Sequence, residues 1–239
     1  MLKYPYMQEE HEEHEALNKA LRDDKMRAEY ARPYDGYQVG FIARMLGKLL
    51  IGSGDLIYGK HPSYAKFKAI EVIARIPYQS WEVASYTLLT ALYSDEKKAI
   101  ELAKTGAFAR MAQDNETLHV VVISQIVCRR NEQGFFRHIL VPLVFSLFYF
   151  WTLFLLYMLN RKASLELNYL FEAHAYEQYG EFLEREGERL KHTLVTSEFL
   201  QFYGRNLHTE YELFESIRND ELIHRNRSIR EIKDYTKAT

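Results

Sequence analysis

Two stretches place a histidine three residues after a glutamate: Glu116-Thr-Leu-His119 and Glu221-Leu-Ile-His224. None of the other histidines has that neighbour. On a helix, residues three apart share a face, so each carboxylate and imidazole can reach one ion. Carboxylate oxygen and imidazole nitrogen together suit a divalent transition metal, and a carboxylate can bridge two such ions. Glutamate is common in this chain, so the pairs alone carry little weight. Two lone glutamates add to them. Glu172 interrupts a stripe of Leu165, Tyr169, Tyr176, Tyr179 and Leu183, and Glu71 is flanked by Phe67, Ile70 and Ala74. An unpaired buried carboxylate is costly, so such a residue normally keeps a cation or a proton. For either glutamate by itself, a salt bridge to Lys or Arg is the ordinary explanation.

The order Glu, Glu-x-x-His, Glu, Glu-x-x-His is the ligand pattern of helical bundles that hold two carboxylate-bridged iron ions. It predicts an all-α, four-helix di-iron bundle with a ferritin-like metal site. The candidate ligands are Glu71, Glu116, His119, Glu172, Glu221 and His224. The same donors also accept manganese. Asn115 and Asp220 each directly precede a candidate ligand and are placed to hydrogen-bond a liganding histidine. Tyr179, two turns after Glu172, is a candidate electron and proton donor in oxygen reduction. With 18 tyrosines in the chain, core packing is the ordinary role of any one of them.

About six long helices would position these residues. Residues 1–36 read as a polar N-terminal arm, and 37–239 as one helical domain. The run HEEHE, His11 to Glu15, reads as a solvated helix start. An amphipathic helix is expected from Tyr37 to Tyr58, with Arg44 and Lys48 on its polar side. A second runs from Tyr64 to Tyr93, kinked at Pro77, and a third from Asp95 to Arg130, in two pieces around Gly106. The tract Ile139 to Leu159 carries no charge and, as a helix, is about 30 Å long. Arg137 and His138 precede it, and Arg161 and Lys162 follow. Membrane contact is expected there, either lying on one leaflet or as a single spanning helix over 139–159; the alternative is a buried core helix. Leu165 to Leu190 and Thr196 to Lys233 complete the set.

Composition agrees with helices. The 239 residues are 47% hydrophobic, and only 11 Gly and 5 Pro leave few turn signals for an all-β fold. A net charge of −2 argues against a nucleic-acid partner. Cys128, the single cysteine, excludes a disulfide framework and a thiolate metal cluster. The N-terminus has no apolar signal-peptide core and is too acidic for an organellar transit peptide.

At its candidate ligands the chain resembles the alternative oxidase family, the non-haem di-iron quinol oxidases. The family's LETVAAVPG reads here as IEVIARIPY, Ile70 to Tyr78, and its NERMHL as NETLHV, Asn115 to Val120. Its YLEEEA reads as LFEAHA, Leu170 to Ala175, and its RADEAHH as RNDELIH, Arg218 to His224. The similarity runs from about Tyr37 to Arg230 in family order. It implies a membrane-bound enzyme, monotopic on an inner membrane face and usually a homodimer, that oxidises quinol and reduces O2 to water. It also implies an active-site tyrosine at Tyr179 and an acidic first-helix residue at Asp55. The departures gather around the organic substrate. The pocket arginine is Lys66, the first-helix arginine is Ile51, and the third glutamate of YLEEEA is His174. The stretch after the proline becomes Tyr78-Gln-Ser-Trp81. Lys66 and His174 can still hydrogen-bond a quinol, with a different geometry from Arg and Glu. The altered pocket keeps a second expectation open: an O2-dependent oxygenase, hydroxylase or desaturase acting on a membrane lipid or isoprenoid. A non-catalytic metal-binding bundle is the third.

Overall fold

The computed structural model describes residues 5–132 and 134–238, and among these there are helices and no strand. In chain order they are α1 (Pro5–Ala20), α2 (Asp24–Ala31), α3 (Phe41–Tyr58), α4 (Tyr64–Ala74) and α5 (Ile76–Leu92). They continue with α6 (Glu96–Arg129), α7 (Val141–Leu159), α8 (Arg161–Lys191), α9 (Glu198–Phe202) and α10 (Glu210–Ala238). The bundle that matters for chemistry is α4, α6, α8 and α10. Local capping sets where three of these begin. Ser63 accepts from the Lys66 N–H, Asp95 from Lys98 and Asn160 from Ala163, each satisfying a donor that the first helical turn leaves open.

Several expected boundaries move, for local reasons. The second expected helix divides at Arg75, and Pro77 sits inside the first turn of α5, where its missing N–H costs nothing. The third is not in two pieces. Helix α6 runs unbroken through Gly106, whose neighbours Thr105, Ala107, Phe108 and Ala109 are all buried. Glycine costs a helix about 1 kcal/mol, and that burial outweighs it. The last expected helix splits into α9 and α10 at a turn where Gly204 has φ +71°, a conformation glycine adopts without strain. The first begins at Phe41 rather than Tyr37. Gly40 N–H donates to Glu166 Oε2 at 2.9 Å, and a Cβ at Gly40 would stand 3.0 Å from that oxygen.

The HEEHE run also departs from a uniformly solvated start. His11, Glu12 and Glu13 are exposed, but His14 is 5% exposed. One face of α1 docks on α10: Asn18 donates to the Ser216 carbonyl at 2.8 Å, and Asn219 donates to the Asn18 carbonyl at 3.1 Å. Between them Leu21, Leu222 and Ile223 form a small apolar cluster.

The core between α4, α5, α6, α8 and α10 is aromatic and tightly closed, with Phe67, Tyr78, Trp81, Phe108, Tyr179 and Phe214 at 0–1% exposure. Helix α7 has two unlike sides. Tyr149, Leu153 and Tyr157 are buried, whereas Leu143, Leu147, Phe148, Trp151, Leu155 and Leu159 are exposed. Only 17% of its apolar window is buried. Helix α3 exposes Phe41, Met45, Leu49 and Leu56. An apolar cleft of about 570 Å³ lies between the two helices, lined by Leu46, Leu50, Val144, Phe148 and Tyr149, with Leu167 of α8 also in its wall.

Candidate metal centre

The bundle helices bring six side chains from distant parts of the chain to one point. Glu71 comes from α4, Glu116 and His119 from α6, Glu172 from α8, and Glu221 and His224 from α10. Their donor atoms form two groups, each within 4.8 Å: Glu71, Glu116, His119 and Glu221, then Glu116, Glu172, Glu221 and His224. Glu116 and Glu221 belong to both groups. Each group is completed by one further glutamate and one histidine. That is the donor arrangement of a metal pair with two shared carboxylates and one terminal carboxylate and imidazole per ion. All six side chains are 0–1% exposed.

The residues fit such a pair by their own unsatisfied chemistry. Both carboxylate oxygens of Glu116 and Glu221, Oε2 of Glu172 and both ring nitrogens of His224 are buried without a hydrogen-bond partner. His224 Nδ1 lies 2.8 Å from Glu116 Oε1, too poorly aligned to count as a hydrogen bond. Buried polar atoms are nearly always paired, and so many orphans facing one another call for cations.

Electrostatics agrees. Burial, and then the neighbouring Glu116, push the Glu71 carboxyl up to about 8. Burial and the charges of Glu116, Glu172 and Glu71 push Glu221 well above the usual carboxylate range, and burial raises Glu172. Burial alone would raise Glu116 too, but His119 and His224 hold it below that range. Burial would lower His119, yet Glu116 and Asp220 hold it well above the usual imidazole range. Without metal, the carboxyls and imidazoles of the centre are coupled, with Glu116 favoured as the anion and its neighbours Glu71, Glu172 and Glu221 favoured protonated.

A pH dependence follows, with a definite sign. Between the ordinary value of 4.5 and about 8, metal-free native protein keeps a proton on Glu71 that the unfolded chain has lost. Where the native state binds more protons, stability falls as pH rises, and the raised His119 and His224 act in the same direction. Thermal melts of chelator-treated protein are therefore expected to show lower stability near pH 8 than near pH 6 (about two pH units apart). A metal bound there would displace these protons, so its apparent affinity is expected to rise across the same window. Equal melting of the chelated protein at both pH values contradicts this.

The surrounding side chains aim these candidate ligands. Asp220 is fully buried and accepts from His119 Nε2 at 3.0 Å, leaving Nδ1 facing Glu71, Glu116 and Glu221. Asn115 donates to the same Asp220 oxygen at 3.2 Å. Tyr179 donates to Glu71 Oε1 and stacks on Phe67 with centroids 4.1 Å apart. Lys66 and Asp55 meet at 2.8 Å, and Lys66, 2% exposed, also donates to the Lys60 carbonyl. His174 is half-buried, and burial and then Lys66 lower its basicity. Neither Lys66 nor Asp55 is among the metal-facing donors.

Sequence reasoning missed other members of the centre. Tyr78 donates to Glu172 Oε1 at 2.6 Å and accepts from Asn168 Nδ2 at 3.1 Å. Its place seven residues after Glu71 repeats the Glu172-to-Tyr179 spacing, the one signal that could have found it. His14 and Asn18 reach Asp220 Oδ1 at 2.8 and 2.6 Å, and Arg205 grips both Asp220 oxygens at 3.1 and 3.3 Å. No spacing rule points to contacts so remote in sequence.

Comparison with known proteins adds an independent line. A family model described as alternative oxidase matches residues 36–231. Ubiquinol oxidase 4, chloroplastic/chromoplastic, from Arabidopsis thaliana is 25% identical over 191 residues, which cover 71% of this chain and 51% of that protein. The chain thus spans about half the length of this curated relative. No solved structure matches it.

Proposed function

Because this chain belongs to the alternative oxidase family, we propose that Glu71, Glu116, His119, Glu172, Glu221 and His224 hold two iron ions and that the protein oxidises quinol while reducing O2 to water. The observation that carries this reading is the doubled donor set sharing Glu116 and Glu221. When bound, an iron pair supplies one-electron redox chemistry and a place for oxygen to be reduced. The protein supplies the rest. Glu116 and Glu221 belong to both donor groups and would offset the repulsion of two cations held there. Asp220 fixes the His119 ring. Tyr179 holds its phenolic proton toward Glu71 in a pocket that Phe67 and Phe214 keep dry, where a proton and an electron can leave together.

A lipophilic quinol matches the cleft between α3 and α7. Its wall is apolar except for Thr152 and Tyr149, whose buried hydroxyl has no hydrogen-bond partner. Tyr149 is close enough to Glu172 to feel its charge, which ties the cleft to the centre. Further along α3, the Lys66–Asp55 pair offers a donor and an acceptor to a hydroxylated ring.

The same faces support a monotopic protein. Helix α7 packs against α4, α5 and α8 on one side, and presents large apolar residues on the other. A spanning α7 would draw part of α8, a helix rich in Glu and Arg that packs on it, toward hydrocarbon. Lying flat avoids that cost. Burying one large apolar side chain contributes about 1.5–3 kcal/mol, so Phe148→Glu is expected to lower partition onto liposomes by at least about tenfold. Flotation assays measure it, and unchanged flotation argues against this face.

The functional test is oxygen uptake by purified, iron-loaded protein given a soluble quinol. Uptake with quinone formation, lost in Glu172→Ala, is the expected result. Uptake that persists in Glu172→Ala removes this site from the reaction. Mass spectrometry that finds oxygen inserted into a lipid, with no quinone, replaces the quinol reading with an oxygenase.

A further inference from the structure

Two tyrosines cross between the helices of the centre. Tyr78 follows Glu71 and Tyr179 follows Glu172 at the same spacing, yet each donates to the other's glutamate. Their surroundings differ. Tyr179 is enclosed by Phe67 and Phe214, with Phe182 packed edge-on to both phenylalanines. Phenylalanine does not readily give up an electron, so the rings that Tyr179 packs on directly are poor redox partners. Tyr78 packs edge-on against Trp81 with centroids 5.4 Å apart, and Trp81 lies 6.2 Å from Tyr157.

All three rings are at most 1% exposed, and each is pinned by a hydrogen bond. Asn168 donates to Tyr78 at 3.1 Å, Trp81 donates to Ser164 at 2.8 Å, and Ser85 donates to Tyr157 at 3.3 Å. The far end of the series reaches the surface. Tyr157 lines a cavity of about 460 Å³ whose wall includes the exposed Lys98 and Leu159. Tyrosine and tryptophan are the aromatic side chains that lose one electron most easily. Here they form an unbroken series from Glu172 and His224, whose ring is 5.4 Å from Tyr78, to that cavity.

We propose that Tyr78, Trp81 and Tyr157 form a one-electron relay between the metal centre and this cavity, through which Tyr157 supplies one electron to oxygen when quinol is short. The proposal rests on the oxygen-reducing reading above. Oxygen is the oxidant. Tyr78 loses one electron toward it, and the phenolic proton moves along the 2.6 Å hydrogen bond to Glu172 Oε1, leaving a neutral tyrosyl radical. Trp81 then gives Tyr78 an electron, and the proton returns from Glu172 to the phenol oxygen. The tryptophan cation radical takes an electron from Tyr157, whose proton leaves to water in the cavity. In net terms Tyr157 is oxidised to a neutral radical, oxygen gains one electron, and one proton is released at the cavity.

The test mixes ferrous-loaded protein with oxygen in the absence of quinol. Oxygen uptake is recorded, and samples frozen during the reaction are examined by electron paramagnetic resonance. Wild-type protein is expected to give a tyrosyl signal that narrows with ring-deuterated tyrosine, and Tyr157→Phe to replace it with a radical on Trp81 or Tyr78. Trp81→Phe is expected to lose the Tyr157 signal and leave a radical on Tyr78, and Tyr78→Phe to lose both. Oxygen uptake without an organic radical overturns the relay and leaves the oxidase reading standing. So does a radical unchanged in Trp81→Phe. No oxygen uptake by wild-type protein overturns both. The deuterated wild type and Trp81→Phe decide the matter even if Tyr78→Phe does not fold.

Discussion

Glu221→Gln is expected to fold like the parent protein and to bind neither ion of the pair. In the metal-free state, burial and three neighbouring carboxylates raise Glu221 well above the usual carboxylate range, which favours its protonated form. Glutamine copies the shape and neutrality of that protonated acid. Stability without metal therefore changes by no more than about 1 kcal/mol. Metal binding is another matter. Glu221 contributes to both donor groups, and a neutral amide cannot offset the repulsion between two cations. Metal analysis should find the pair lost, with oxygen uptake falling to background. Glu71→Gln and Glu172→Gln each touch one group and are expected to weaken one ion before the other. A ligand that binds only the native state raises its stability, so added ferrous ion should raise the parent's melting temperature and leave that of Glu221→Gln unmoved. A variant that retains both ions would contradict the shared role of this carboxylate.

How much of this centre was legible follows from the kind of information each residue carries. The pairs at Glu116 and Glu221 and the apolar settings of Glu71 and Glu172 are local, because helical periodicity writes the inward face into nearby positions. Tyr78 was not legible in that way. Its partner Glu172 lies 94 positions away, and helical spacing says which face a residue occupies but not which residue it meets. The same applies to His14, 206 positions from Asp220, whose polar neighbours His11, Glu12 and Glu13 made the whole run look solvated. Helix ends were legible where a side chain caps them, as at Ser63 and Asp95. They were misjudged where tertiary packing overrode a weak local signal, as at Gly106, or where one glycine turn divided a long amphipathic stretch, as at Gly204.

Asp220→Ala is expected to be strongly destabilising, and the reason lies in what it leaves behind. Asp220 is completely buried and accepts hydrogen bonds from His14, Asn18, Asn115, His119 and Arg205. Burial alone would raise its pKa, but the Arg205 guanidinium and the two histidines hold the carboxyl well below its usual range. Alanine removes every acceptor at once. Arg205, itself 8% exposed, keeps Glu15 at 2.6 Å and the Ser216 hydroxyl but loses its fully buried counter-charge. Breaking one side of a buried ion pair costs about 3–5 kcal/mol. In a chain of this size each kcal/mol lowers the melting temperature by about 2–4 °C, so a fall of roughly 6–20 °C is expected. A second readout separates this from simple loss of packing. Because Asp220 is where α1 meets the centre, faster hydrogen exchange should concentrate in α1. Loss of the His119 hydrogen bond should lower metal affinity by about 10–100-fold. Asp220→Asn keeps the shape and one acceptor, and is expected to recover α1 docking in part without recovering the charge that holds Arg205. If Asp220→Ala melts with the parent, or if exchange in α1 does not change, α1 is not anchored through this carboxylate.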